Sequence, residues 1–88
     1  SQEMSPLDEG FRNRIEGIYD RWREAIEIGL KNGLKAKTVK AGTDPKSVAA
    51  FVVASITGVI GLAKNTQNTD LMKLALRAMK DYLQGLKN

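Results

Sequence analysis

The side chains best suited to chemistry in this 88-residue sequence are four carboxylates, Glu16, Asp20, Glu24 and Glu27. Their spacing of three or four places them along one helical face, where paired carboxylates can do acid–base work or hold a hard cation. Arg21, Arg23 and Lys31 are interleaved with them. Salt-bridged surface charge is therefore the better reading. The sequence has no histidine and no cysteine. This removes the commonest general base, the commonest metal ligand, thiolate chemistry, disulfides and zinc–sulfur sites. No hydroxyl has a base partner nearby in sequence. No catalytic residue, metal or cofactor is expected, and the chain is not read as an enzyme.

Two further residues invite a ligand. Trp22 offers a stacking surface, although a lone tryptophan at a helical core position more often simply packs. Ser55 is a polar group in an apolar stretch; it can meet a ligand, but bonding back to the carbonyl one turn earlier is the commoner arrangement. With their helical neighbours they define a candidate ligand-binding set of Trp22, Ile26, Phe51 and Ser55.

The net charge of +4 is uneven. Acids outnumber bases before Lys31, whereas Lys31, Lys35, Lys37, Lys40 and Lys46 face Asp44 alone. Such a tract attracts polyanions. Without an arginine or aromatic among these lysines, it reads as a solvated connector with no means of reading base sequence. The sequence starts at Ser1 without an initiator methionine and shows no signal peptide. It is expected to be one domain, residues 1–88, cut from a longer protein.

Three helices carry these residues. The first is expected from Pro6 to about Asn32, with Ser5 as N-cap, Asp8 completing a capping box and Asn32-Gly33 as the stop. Phe11, Ile15, Ile18, Trp22, Ala25, Ile26, Gly29 and Leu30 form its apolar stripe. Asp8–Arg12 and Glu27–Lys31 are pairs four apart. A polar connector follows to about Thr43, with no strand pattern. The second helix is expected from Pro45 to Lys64 behind the N-cap Asp44, and the third from about Asp70 to Leu86 after a turn at Asn65–Thr69. The short turn makes these two an antiparallel hairpin.

The second helix has no charge between Val48 and Ala63. That stretch is shorter than the ~20 residues of a membrane span, and no membrane association is expected. Ala50, Ala54, Thr57, Gly58 and Gly61 gather on one side, with Val48, Val52, Ile56, Val59 and Ala63 opposite and Phe51, Ser55 and Leu62 at the boundary. Either the small side packs on the third helix of the same chain, or it leaves an apolar patch that marks an association site. The second reading is preferred, because two helices cover only about two sides of a helix that is apolar all round. The expected dimer interface is Ala50, Ala54, Thr57, Gly58, Gly61, Met72, Leu76, Met79 and Leu83.

In order, Tyr19-Asp20-Arg21-Trp22, Gly29-Leu30-Lys31-Asn32-Gly33, Asp44-Pro45, Val48-Ala49-Ala50-Phe51, Ala54-Ser55-Ile56-Thr57-Gly58, Leu62-Ala63-Lys64 and Tyr82-Leu83 resemble the C-terminal domain of TetR-type bacterial transcription regulators. The resemblance runs from about Phe11 to Leu86. It implies an all-α fold whose last two helices form an antiparallel hairpin and pair with those of a second copy in a four-helix dimer interface. It also implies a small, apolar effector enclosed by preceding helices, operator DNA bound only through an N-terminal helix-turn-helix domain that is absent here, and a cytoplasmic location. The earlier pocket helices are absent too, so one wall of a pocket is expected. The alternative function is a stand-alone helical adaptor that binds a partner protein through the same apolar surface. A small-molecule carrier is a third and weaker one, since three helices hardly enclose a pocket.

Overall fold

The computed structural model describes residues 6–88, with side chains from Glu9 onward. Ser5 and the carboxylate of Asp8, and with them the capping box and the Asp8–Arg12 pair, lie outside the described residues. Helices α1 (Pro6–Lys35), α2 (Pro45–Asn65) and α3 (Thr69–Gln84) follow in order, and the described residues form no strand.

Helix α1 runs past the expected stop at Gly33. The left-handed position that ends it is taken by Lys37, at φ 62°, and not by a glycine. The Lys37 amide donates to the Leu34 carbonyl at 3.2 Å and the Thr38 amide to the Gly33 carbonyl at 2.9 Å. This is the paired closure of a Schellman motif, which satisfies carbonyls the helix end would otherwise leave bare. Gly33 serves a different purpose. A Cβ there would collide with the Val39 side chain, so its missing side chain lets the connector fold back on the helix. Glu27 and Lys31 form the expected ion pair at 3.2 Å.

Asp44 caps α2. Its carboxylate accepts from the Lys46 amide at 3.2 Å and from the Ser47 hydroxyl at 2.6 Å. The Ser47 bond, chiefly, holds its pKa below the ordinary value. Asn68 caps α3 by accepting from the Leu71 amide at 3.0 Å, so the helix starts one residue earlier than the pattern suggests.

Helix α2 is central. Its buried residues, Val48, Ala49, Val52 and Val53, are the whole fully buried core among the described residues. Helices α1 and α3 each pack on α2, but no Cα of α1 comes within 8 Å of α3. The chain is correspondingly open. Its radius of gyration is 16.0 Å, against about 12 Å for a compact domain of this length. Its accessible surface is 6796 Å², roughly 1,700 Å² above that of a folded monomer of this mass. Helix α2 spans 21 residues and is long and apolar enough to cross a membrane by length and composition. The face it turns to α1 is nevertheless a packed protein core.

Candidate association site

The α2–α3 hairpin carries a groove of about 560 Å³ lined by Phe51, Ser55, Gly58, Val59 and Leu62 of α2 and Ala75, Ala78 and Met79 of α3. Helical spacing explains the membership. Residues 51, 55, 58 and 62 recur at four, three and four and share one stripe. Ala75, Ala78 and Met79 do the same on the facing helix. Phe51 closes one end by an edge contact with Tyr82, ring centroids 4.9 Å apart. The Ser55 hydroxyl donates to the Phe51 carbonyl at 2.7 Å, and that of Thr57 donates to the Val53 carbonyl. Both polar side chains between Val48 and Ala63 are thus served by the turn below. No buried polar atom among the described side chains lacks a partner. The lining is apolar, and no group that titrates near neutrality stands in it.

The small residues of α2 are not consumed within the chain. Ala50, Ala54 and Gly58 are exposed, with Thr57 and Gly61 partly so. A Cβ added at Gly58 or Gly61 would meet nothing within 4 Å. The small side of α2 therefore does not pack on α3 of the same chain. On α3, Met72 and Met79 are half-buried, and Leu76 and Leu83 are exposed. Further apolar surface is uncovered at Leu71 (42% exposed), Leu74 (58%) and Tyr82 (39%) of α3 and at Phe51 (49%) of α2.

The predicted ligand-binding residues divide. Phe51 and Ser55 line the groove. Trp22 and Ile26 sit on α1, which packs on another side of α2, and do not join them. Trp22 meets Tyr19 at a tilt, with centroids 5.7 Å apart, and is 41% exposed. The carboxylates of α1 bring no metal-binding group together among the described residues, and Asp20 is paired with Arg23.

The fold is an apolar helical hairpin, packed on one side by α1 and left open along a stripe of small residues on the other. Over residues 1–79 the chain matches the family described as tetracyclin repressor-like, C-terminal domain, and it belongs to that family. No curated protein and no solved structure matches it.

Proposed function

We propose that this chain is the dimerisation and ligand-sensing part of a TetR-type transcriptional regulator, and that the α2–α3 hairpin pairs with the same hairpin of a second copy. The observation that carries the reading is the uncovered hairpin face, with its groove and with open space at Gly58 and Gly61. A two-fold interface brings a patch onto its own copy. The roughly 1,700 Å² of surface beyond that of a compact monomer exceeds the ~800 Å² per partner that a stable interface buries. Ala50, Ala54, Thr57, Gly58 and Gly61 on α2 and the Leu71–Tyr82 side of α3 form the contact, with Met72 and Met79 supporting it from the hairpin interior. Leu76 and Leu83, both exposed on α3, complete it.

In this reading, Trp22 and Ile26 on α1 belong to one wall of the effector site, separate from the pairing face. A small apolar effector fits that wall. Operator DNA is bound by another domain of the cytoplasmic regulator. Light scattering on the purified chain tests the pairing: a mass twice 9.7 kDa is expected at micromolar concentration. A monomer that instead captures a heterologous helix would favour the adaptor reading and overturn this one.

A further inference from the structure

We propose that residues 86–88 are a clasp through which α1 sets the tilt of α3, and hence the width of the α2–α3 groove. Beyond the turn after Gln84, the chain lies against the connector. The Lys40 amide donates to the Leu86 carbonyl at 2.8 Å, and the Asn88 amide donates to the Thr38 carbonyl at 3.0 Å. The Asn88 side-chain amide donates to the Lys37 carbonyl at 3.0 Å. Val39 and Lys87 form the antiparallel bridge between these bonds.

The connector is itself fixed to α1. The Gly33 carbonyl accepts from both Thr38 and Val39 amides, at 2.9 and 3.2 Å, and the Val39 side chain fills the space a Cβ at Gly33 would take. The connector therefore moves with the last turn of α1. Helix α3, by contrast, is loosely held: none of its residues is fully buried, and it does not approach α1. Three hydrogen bonds at its C-terminal end are then a large share of what fixes its direction. Tyr82, which closes the groove on Phe51, stands one turn before the clasp. A displacement of α1 against α2 is transmitted through Val39 to Leu86 and opens or closes the groove at that ring pair. Residues 86–88 lie beyond residue 79, where the family match ends. It acts within one protomer and does not rest on the pairing proposed above.

The bridge also supplies its own test. Val39 and Lys87 are the non-hydrogen-bonded kind of antiparallel pair, with Cα atoms about 4.5 Å apart, inside the range a disulfide spans. With no native cysteine, Val39→Cys/Lys87→Cys gives a single reversible lock. Residual dipolar couplings and amide exchange are compared for the intact chain, a chain ending at Gly85, and the double variant oxidised and reduced. Loss of the clasp should rotate the α3 axis against α1 while α2 holds its angle to α1, and should speed exchange at Tyr82–Gly85 at least tenfold. Oxidation should slow the same amides at least tenfold relative to the reduced form. Unchanged α3 couplings and exchange in the shortened chain overturn the proposal. If shortening unfolds α3 altogether, the lock decides: equal exchange in the oxidised and reduced variant also overturns it.

Discussion

Gly58→Glu has opposite expected effects on the protomer and on the pair. Within the protomer a side chain at Gly58 meets nothing within 4 Å, and replacing an interior helix glycine by a good helix former gains up to about 1 kcal/mol. The free chain should therefore stay helical and melt slightly higher. In the pair the sign reverses. Phe51, Leu71, Leu74 and Tyr82 together expose on the order of 350 Å² per protomer, or about 17 kcal/mol gross for two copies at 25 cal/mol per Å². Association costs some 4–15 kcal/mol of that, which leaves about 2–13 kcal/mol, a range with micromolar affinity near its middle. Two carboxylates desolvated in the same interface cost several kcal/mol each. Even about 4 kcal/mol in total weakens pairing roughly a thousandfold. Sedimentation equilibrium with a parallel circular dichroism melt measures both signs. A variant that pairs within tenfold of wild type places the interface elsewhere. A variant that loses its helices means Gly58 is packed inside the protomer, contrary to the geometry described.

Three further outcomes are expected. Lys37→Gly relieves a left-handed backbone at φ 62° and should stabilise the chain by about 0.5–1 kcal/mol, read as a higher Tm; an unchanged or lower Tm counts against the Schellman closure at that residue. Gly33→Ala forces its methyl into the stiff Val39 side chain and should cost about 1–3 kcal/mol, with the largest rise in amide exchange at Thr38 and Val39; uniform or absent effects would contradict it. Asp44, whose pKa the Ser47 hydroxyl holds below the ordinary 3.8, contributes stability that is fully present above that value and is lost as pH falls through the depressed pKa. Exchange at Lys46 and Ser47 should accelerate over that acid window in wild type but not in Asp44→Asn, which keeps a capping oxygen; equal acid sensitivity in both would sink the assignment.

The helices were legible because their signals are local. Asp44-Pro45 marks the start of α2, and the charge-free run from Val48 to Ala63 marks it as the central helix. The end of α1 was misplaced because Gly33, the usual stop residue, is used for close approach while Lys37 adopts the left-handed conformation without any compositional sign. Which side of α3 lines the groove was also not legible. The helix is apolar over so wide an arc that its pattern does not single out Ala75, Ala78 and Met79; the choice is made by where α2 lies, which periodicity does not encode. By type Phe51 and Ser55 suit a ligand and Gly58 a helix contact, yet one stripe spacing brings them into one groove. The bridge of Val39 to Lys87 left no trace at all, since a single pairing between distant residues needs no alternating pattern on either side.

The serial arrangement of the helices, each touching only its neighbour in sequence, has a kinetic consequence. Nearly every tertiary contact can form between segments adjacent along the chain, so little loop-closure entropy stands between the unfolded ensemble and the packed helices. Such chains fold on the microsecond-to-millisecond scale. The exception is the pairing of residues 86–88 with residues 37–40, Asn88 reaching Lys37 from 51 positions away, which becomes a short-range event only after both hairpin turns are made. Closing it is thus the natural last step of folding, and reopening it the first step of unfolding, so the third helix should be the part of the molecule that native-state fluctuations release most readily.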